Sequence, residues 1–375
     1  MRRLTLERSF GLVPDPQGMK IVSPHHWPAE WEPQAATWIA WPHNRETWPG
    51  HFRPVPDAFV NFIMAISKVQ PVHVLTGPAG IQPAAQDMLG DLENVQLHSI
   101  ATNDTWIRDF GPTFVRRRDD GSLVGIDWRY NAWGGKYPPY DDDARATELI
   151  CRTIGCTRSQ SAMHCEGGGL ETDGQGTLLT TSSCLLSPTR NPGWTRDMVS
   201  AELRSQLGVE KIVWVDGGGL QGDDTDGHID QLARFVAPGV VVAAASSAAD
   251  DPNRVGLESN VRQLRQAHDA NATLLTVHTL PTPPPRLVDG QRVPESYCNF
   301  LLANGVVLLP TFRHDATDHT AIELLSRLFP QRRVIPVDAY DIIGGLGALH
   351  CASQQQPTSV TSTLQRQREP ASRMN

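Results

Sequence analysis

The sequence predicts an α/β protein built from repeated units that surround one axis. Pairs of apolar or β-branched segments recur along the chain, each pair joined by a turn that contains glycine. The turn glycines Gly121, Gly176, Gly239 and Gly305 follow one another at roughly 55–65 residues, a period that indicates blades around an axis. Between the pairs lie stretches with apolar residues at i, i+3 and i+4, which is typical of amphipathic helices.

Four strand pairs follow from this pattern, each with a glycine where the turn requires positive φ. They are residues 112–115 with 121–128, 169–170 with 176–181, 232–236 with 239–245, and 299–303 with 305–312. A fifth pair joins residues 35–41 to the segment 342–351, which closes the ring and removes free sheet edges. An α/β sandwich with similar hairpins is the alternative that the repeats leave open.

Five amphipathic stretches predict the helices, at residues 57–68, 143–154, 195–206, 259–268 and 318–328. Asp57, Thr195 and Asp318 are the expected N-caps. No linker divides the chain of 375 residues, so we expect one catalytic domain over residues 1–356. Residues 357–375 are polar and lack apolar periodicity, which predicts a disordered C-terminal tail.

The bulk properties exclude several classes of partner. The formal net charge of -8 argues against a nucleic-acid-binding surface. The longest apolar run, residues 239–249, is too short to span a membrane, and the first ten residues lack the apolar core of a signal peptide. The six cysteines form no Cys-x-x-Cys pair and are expected to be reduced thiols. We therefore expect a cytoplasmic protein that binds neither nucleic acid nor membrane.

Polar residues of catalytic type lie beside the predicted hairpins. They are Asp109, Glu166, His228, Asp230 and Cys351. Residues two apart in a strand share one face, so the imidazole of His228 and the carboxylate of Asp230 are expected to point the same way. Units that face one axis would bring all of these side chains together.

This combination suits the hydrolysis of a guanidinium group. The group is a planar cation whose N–H donors are matched by carboxylates on two sides. Its carbon is a poor electrophile, for which a thiolate is a suitable covalent nucleophile. The leaving ammonia needs a proton, which a histidine can deliver and then recover from water. Asp109, Asp230, His228 and Cys351 supply this set.

Each residue also has a structural interpretation. A lone cysteine such as Cys351 is usually a small buried hydrophobe, although a preceding glycine turn could lower its pKa through backbone N–H groups. His228 could be a structural histidine, and Asp109 could pair with Arg108. A metal site is not expected, because the histidine and cysteine residues lack the spacing of a zinc site. No phosphate-binding loop is present.

Several short motifs, in the same order, resemble the agmatine deiminase and bacterial peptidylarginine deiminase family along nearly the whole chain. They span residues 27–34, 41–44, 103–114, 166–168, 224–230, 296–300, 344–351 and 354–357. The resemblance implies the pentein fold, a five-bladed α/β propeller with pseudo-fivefold repeats and a central active-site cleft. It also implies that no cofactor is required.

The same resemblance implies roles for individual residues. Cys351 would be the nucleophile and His228 the general acid/base, oriented by Glu166. Asp109 and Asp230 would hold the guanidinium nitrogens, and Trp106 would line the pocket. The implied reaction is covalent hydrolysis through a thiouronium intermediate. With agmatine, the products would be N-carbamoylputrescine and ammonia, a step towards putrescine.

Two departures from the family pattern concern the shape of the pocket. Some relatives carry a histidine a few residues after Glu-Gly-Gly, where this chain has Leu170-Glu171-Thr172. Relatives also tend to have three glycines in the last motif, which Leu346 interrupts here. Glu30, Trp31 and Glu171 are the candidates for binding the ammonium at the far end of agmatine.

We therefore expect a small cationic guanidine as the substrate, with agmatine as the leading candidate. Deimination of peptidylarginine or of another small guanidino compound remains open. So do a non-catalytic guanidine-binding protein and an amidinotransferase. Such enzymes are often dimers or larger, so a homo-oligomer is a further open alternative.

Overall fold

The computed structural model describes residues 23–78, 80–246 and 248–359. Within them the strands form five sheets of three or four strands and one short hairpin, Leu287–Val288 with Gln291–Arg292. The strands are given in the order of hydrogen-bonded neighbours. The two four-stranded sheets are sheet A, with Ser353–Pro357, Gln34–Ala40, Val72–Leu75 and Val95–His98, and sheet B, with His25–His26, Thr113–Arg117, Leu123–Arg129 and Thr157–His164. The three-stranded sheets are sheet C, with Lys211–Val215, Thr177–Thr181 and Glu171–Thr172; sheet D, with Ala233–Ala237, Val240–Ala245 and Thr276–Pro281; and sheet E, with Leu301–Ala303, Val306–Thr311 and Arg333–Asp338.

All five sheets share one arrangement, in which an antiparallel pair is extended by a parallel strand. In sheet D, Ala233–Ala237 pairs antiparallel with Val240–Ala245. The chain then forms the helix Arg254–Gln266 and returns as Thr276–Pro281, parallel to Val240–Ala245. A crossover through a helix is the usual way to place a parallel neighbour. The five sheets are separate over the described residues, with no closed sheet among them.

Helices cover the sheets and complete the core. The α-helices are Val55–Ser67, Gln82–Leu89, Ile107–Phe110, Ala132–Gly135, Asp143–Ile154, Ser182–Leu185, Arg196–Leu207, Arg254–Gln266 and Asp315–Leu328, and the 3-10 turns are Arg45–Thr47, Gly167–Gly169, Ile229–Gln231 and Ile342–Gly345. In Val55–Ser67 the apolar stripe includes Phe59, Phe62, Ile63 and Ile66, all fully buried. This helical spacing is the signal that predicted the helix. Among the described residues, no helix combines the length and apolarity needed to cross a membrane.

One of the three predicted N-caps is confirmed. The hydroxyl of Thr195 accepts a hydrogen bond from the backbone N–H of Met198 at 3.3 Å. Asp57 is not a cap, because its helix begins at Val55 with prolines in the first turn. Asp318 is also not a cap: it lies inside Asp315–Leu328, where its carboxylate accepts backbone N–H groups of the preceding loop.

Three of the four internal hairpins are confirmed, and the second and the fifth are confirmed only in part. In the second, the strand that pairs with Thr177–Thr181 is Glu171–Thr172 and not residues 169–170, because Gly167–Gly169 forms a 3-10 turn. Gln34–Ala40 does pair antiparallel with a segment near the end of the chain, but that segment is Ser353–Pro357 and not 342–351. Residues 342–345 form a 3-10 turn that ends in a left-handed residue, Leu346. The true partner reads Ser-Gln-Gln-Gln-Pro, which lacks the apolar alternation of a strand signal.

The predicted domain boundary and tail remain predictions. The strand Ser353–Pro357 ends at the first residue of the predicted tail, and Thr358 donates its backbone N–H to the carbonyl of Pro33 at 2.9 Å. Residues 1–22 and 360–375 lie outside the described residues.

Candidate active site

Buried polar side chains stand just before one strand of the antiparallel pair in every sheet. They come from the helical turn before Thr113, the 3-10 turns before Glu171 and Ala233, and the loops before Leu301 and Ser353. None is more than 4% exposed: Asp109, Glu166, His228, Asp230, Asn299 and Cys351. The architecture therefore directs six side chains, far apart in sequence, towards one buried region.

Three of these side chains converge at Gly168. A Cβ atom built on Gly168 would lie 2.6 Å from His228 Nδ1, 2.8 Å from Asp109 Oδ1 and 3.1 Å from Asp230 Oδ2. Because Gly168 has no side chain, the three polar groups can approach its Cα closely, and the side chain of any other residue would collide with them. The predicted meeting of the imidazole and the two carboxylates is thus observed in the structure.

His228 is fully buried between two acids. Its Nδ1 lies 3.6 Å from Asp109 Oδ1, and its Nε2 lies 3.7 Å from Glu166 Oε2. Both distances exceed a hydrogen bond, and neither ring nitrogen has a hydrogen-bond partner among the described residues. Burial lowers the pKa of His228, but Asp109, Cys184 and Glu166 outweigh this and hold it well above its usual value. The ring is therefore cationic at neutral pH and able to donate protons.

Glu166 is held in its charged form from two sides. Arg190, itself fully buried, donates from Nε to Glu166 Oε1 at 2.9 Å. Burial raises the pKa of Glu166, but His228 and Arg190 lower it by more than burial raises it, so the pKa is about 2. A permanent negative charge beside Nε2 favours the imidazolium of His228 and fixes the ring.

Asp109 is positioned by neutral donors. The indole of Trp133 donates to Oδ2 at 3.0 Å, and the backbone N–H of Gly168 donates to Oδ1 at 3.0 Å. Burial raises the pKa of Asp109, His228 lowers it, and Asp230 and Glu166 raise it, which leaves it at about 6. Asp109 therefore titrates near neutrality, unlike Glu166.

Asp230 carries one paired and one unpaired oxygen. His350 Nδ1 lies 2.8 Å from Oδ2, and the other ring nitrogen of His350 lies 2.9 Å from Glu30. Oδ1 is buried and has no hydrogen-bond partner among the described residues. Burial raises the pKa of Asp230, but His350 and His228 lower it below its usual value. An ionised, buried oxygen without a donor is costly and favours a ligand that supplies one.

The thiol of Cys351 lies against Asp230 and Asn299. Its Sγ is 3.6 Å from Asp230 Oδ2 and accepts from Asn299 Nδ2 at 3.1 Å. Burial, Asp230 and Asp109 raise the pKa of Cys351 well above its usual value, while Asn299 and the backbone at Ala348 lower it less. The expected lowering by the glycine turn is therefore outweighed, because two carboxylates face the sulfur.

Asp109 and Cys351 line a cavity of about 840 Å³ whose wall includes several aromatic rings. His228, Asp230 and Glu166 are not among its lining residues. Trp106 lines this cavity as predicted, together with Trp133, Tyr130 and Cys351. Leu346, the departure in the last motif, also lines it with φ 72°. A leucine at this position narrows a wall where glycine would leave open space.

Glu30, Trp31 and Glu171, the candidates for the far end of the substrate, are not among the residues that line the cavity. Glu30 and Glu171 flank the buried guanidinium of Arg234 at 2.6 and 2.9 Å. Arg234 holds them inside the protein, where Glu171 also accepts the backbone N–H of Phe235 at 2.8 Å. Glu171 therefore acts on internal packing rather than on the cavity.

Two clusters have metal-ligand side chains. In each, the candidate ligand atoms lie within 4.8 Å of one another: Glu166, Cys184 and His228; and Glu30, Glu171 and His350. Arg190 already neutralises the first cluster and Arg234 the second. A cation would have to compete with these buried ion pairs, so the donor sets fit arginine better than a metal.

Sequence reasoning missed several residues that support the site. Asn299, which contacts the sulfur, lies in the motif at residues 296–300, to which the sequence assigns no role. Trp133, Arg190, Arg234 and His350 contact the acids from positions 24 to 320 residues away. No spacing rule could have found these pairs, since only the fold brings them together.

Fold and site together define a hydrolase that acts on the C–N bonds of amidines. Residues 26–357 match the Porphyromonas-type peptidyl-arginine deiminase family, and the chain belongs to that family. Among curated relatives, the agmatine deiminase of Pseudomonas aeruginosa is 37% identical over 353 residues, 88% of this chain and 95% of the relative. That of Ectopseudomonas mendocina is 36% identical over 355 residues, 88% and 95% of the two chains.

Solved structures agree. The agmatine deiminase of Enterococcus faecalis superposes with a TM-score of 0.83 at 31% identity, covering 90% of this chain and 97% of its own. A cysteine-to-serine variant of C. jejuni agmatine deiminase with substrate bound gives a TM-score of 0.82 at 26% identity, covering 89% and 97%. The fold is therefore that of the pentein superfamily.

Proposed function

We propose that this protein is an agmatine deiminase, which hydrolyses the guanidinium of agmatine to N-carbamoylputrescine and ammonia. The carrying observation is the convergence of His228 and two carboxylates at Gly168, with the Cys351 thiol against one of them. Curated relatives that align with the chain over nearly their whole length are named agmatine deiminases. In a cell the reaction would serve the synthesis of putrescine.

The two carboxylates hold the guanidinium. Asp230 Oδ1 has no hydrogen-bond donor among the described residues, which supports a role as an acceptor for the substrate. Asp109 is ionised above a pH of about 6 and supplies the second negative charge. A planar cation with N–H donors on several sides satisfies both acids, and charge-assisted hydrogen bonds of this kind are about twice as strong as neutral ones.

Binding the cation also activates the nucleophile. Without substrate, burial and the two acids favour the neutral thiol of Cys351. A guanidinium between Asp109 and Asp230 neutralises the charge that raises the pKa of the thiol, so the thiol loses its proton to solvent. The reactive thiolate therefore forms beside bound substrate.

In the first half of the reaction, the Cys351 thiolate forms a C–S bond to the guanidinium carbon and gives a neutral tetrahedral adduct. Protonated His228 donates its proton to one amino group of the adduct. The C–N bond to that group breaks, ammonia leaves, and a cationic thiouronium remains on the sulfur. His228 is now neutral.

In the second half, neutral His228 takes a proton from water as the water oxygen bonds to the thiouronium carbon. The C–S bond breaks, the thiolate is restored, and the remaining proton passes to the released ammonia as the ureido product forms. Glu166 stabilises the imidazolium at the start and the end of the cycle, since it stays ionised throughout.

Product identification by mass spectrometry tests the proposal. Purified protein is incubated with agmatine, free arginine and an arginyl peptide, and ammonia release is followed in parallel. We expect a ureido product from agmatine and little from the other two. Cys351→Ala should abolish turnover and retain guanidine binding, whereas Cys156→Ala, a partly exposed cysteine outside the cavity lining, should keep full activity.

The other outcomes separate the alternatives. Comparable rates on all three compounds would replace agmatine with a general guanidine substrate. Binding of guanidines without turnover by the unmodified chain would define a binding protein. A new guanidine product that forms only with an added amine would define an amidinotransferase.

We also propose that the five sheets are blades around a pseudo-fivefold axis, which gives the five-bladed α/β propeller. The shared order of an antiparallel pair and a parallel strand supports this, as does the position of the polar residues at corresponding points of all five sheets. A crystal structure in which rotations by one fifth of a turn fail to superpose the sheets would overturn the arrangement.

A further inference from the structure

The cavity carries a carboxylate that the proposed reaction does not use. Asp104 is half-buried and lines the cavity. Its carboxylate accepts from the hydroxyl of Thr47 at 3.0 and 3.1 Å and from the backbone N–H of Thr105 at 2.8 Å. No lysine, arginine or histidine of the described residues forms an ion pair with it. The side chain is thus held in place by neutral donors and lacks a cation.

Other acids along the cavity are already engaged. The phenol of Tyr137 donates to Asp224, and His51 lies 3.1 Å from the exposed Asp289 at the rim. Asp143 is buried and accepts the backbone N–H groups of Asn103 and Asp104 at 2.7 and 3.3 Å. Asp143 and Asp224 also form no ion pair among the described residues, but Asp143 is only 2% exposed and Asp224 has one side-chain donor. Asp104 is half-buried and is held by two donors, Thr47 and Thr105.

A second polar group of the same cavity also lacks a partner. Tyr130 lines the cavity and is only 7% exposed, and its hydroxyl has no hydrogen-bond partner among the described residues. A phenolic oxygen can accept as well as donate. A buried hydroxyl without a partner is unfavourable unless a ligand or water satisfies it. Tyr130 therefore adds an acceptor that a bound ammonium group could use.

Aromatic rings separate this region from the guanidinium site. Trp133 donates to Asp109 at 3.0 Å, and its ring lies 5.7 Å from that of Tyr130. Trp106 lines the same cavity and packs at 5.7 Å against Trp48, the neighbour of Thr47. The cavity thus combines aromatic rings with two separate carboxylates, Asp109 and Asp104, which suits a methylene chain that carries a cation at each end.

We infer that Asp104, with the Tyr130 hydroxyl, binds the distal ammonium of the substrate and selects guanidines with a cationic tail. This inference rests on the proposed function and names the residue that would make the enzyme specific for agmatine. It replaces the role expected of Glu30 and Glu171, which bind Arg234 instead.

The ionisation of Asp104 agrees with this role. Burial raises the pKa of Asp104, and the nearby charge of Asp224 raises it as well. Hydrogen bonds from Thr105 and Thr47 lower it, and the resulting pKa is about 7. A carboxylate raised in this way lacks a nearby cation, and a bound ammonium would restore its charged form.

The test compares agmatine with n-pentylguanidine, in which a methyl group replaces the ammonium. At about pH 8, where Asp104 is ionised, the unmodified enzyme should favour agmatine by tenfold or more in kcat/KM. Asp104→Asn keeps the acceptor oxygen for Thr47 and Thr105 but removes the charge. We expect it to lower kcat/KM for agmatine by about tenfold or more, chiefly through KM, and that for n-pentylguanidine by less than about threefold. Asp57→Asn, which removes an exposed charge from the helix Val55–Ser67 outside the cavity lining, is the matched control and should leave both substrates unchanged.

The result that overturns the inference is an equal loss on both substrates, or no loss on either. If Asp104→Asn does not fold, Tyr130→Phe provides the second variant and should weaken agmatine alone. The proposed function fails separately, when the unmodified enzyme releases no ammonia from agmatine. In that case titration of Cys351→Ala with the two compounds still decides the subsite, because a preference for the cationic tail supports it and equal affinity refutes it.

Discussion

Gly168 should tolerate no side chain, and Gly168→Ala measures how tightly the site is built. The added Cβ would lie 2.6 Å from His228 Nδ1 and 2.8 Å from Asp109 Oδ1. Relief of these contacts requires a shift of about 1 Å, since non-bonded heavy atoms settle at roughly 3.5–4.0 Å. Both neighbours are buried, at 0% and 4% exposure, so neither can move into solvent.

A displacement of about 1 Å in a catalytic constellation costs on the order of 100-fold in rate. We therefore expect Gly168→Ala to lose at least about 100-fold in kcat/KM for agmatine. Overpacking of a buried site costs roughly 1–3 kcal/mol, so unfolding in urea should show a moderately less stable but folded protein.

The adjacent Gly169→Ala is the matched control. Its Cβ would meet Cys184 Sγ at 3.5 Å and two other atoms at 3.9 Å, which are ordinary contacts. Neither glycine has positive φ, so the two variants differ in what the methyl group touches rather than in backbone strain. Ammonia release by a coupled assay compares them. If Gly168→Ala keeps more than a tenth of the activity, the reasoning about this site is refuted.

Two further predictions follow from the charges of the site. The pH profile of kcat/KM for n-pentylguanidine, which does not report on Asp104, should steepen below about pH 6 by a further factor of about ten per pH unit, because Asp109 has a pKa of about 6 and loses its charge as the pH falls. Loss of the Cys351 proton already makes kcat/KM depend on pH above that range, so an unchanged slope down to pH 5 would contradict this assignment. Arg190→Met should lower the free energy of unfolding by about 3–5 kcal/mol, because it removes the hydrogen-bonded cation from the buried charge of Glu166 and leaves only the more distant His228. Arg196→Met, which removes an exposed pair with Asp216, should cost about 0–1 kcal/mol in the same urea titration, and equal losses for the two variants would refute the argument.

Local patterns in the sequence were sufficient to predict most elements. The hairpins were readable because their apolar strands flank turn glycines, and Gly121, Gly176, Gly239 and Gly305 all have positive φ in the structure. The partner of Gln34–Ala40 was placed too early, because Ser353–Pro357 is polar and becomes a strand only through tertiary pairing. The predicted segment 342–351 contains the glycines of a 3-10 turn that precedes Cys351, so it does not form a strand.

For the site, the sequence identified the groups but not their electrostatic environment. Chemistry of the guanidinium selected Asp109, His228, Asp230 and Cys351, all of which lie in one buried region. The sequence left the direction of the Cys351 pKa open, because it depends on two acids distant in sequence. Asp104 had been noticed only as part of a motif, since its value as a free acid depends on what surrounds the cavity.

The central claim is that the sulfur of Cys351 bonds to the substrate carbon. Rapid quenching of the enzyme during turnover of agmatine, followed by peptide mass mapping, tests it directly. The account predicts a peptide containing Cys351 that gains the mass of agmatine less ammonia, and no such gain at Cys184 or Cys298. Turnover at full rate by Cys351→Ala, or an adduct on another cysteine in its place, would contradict it.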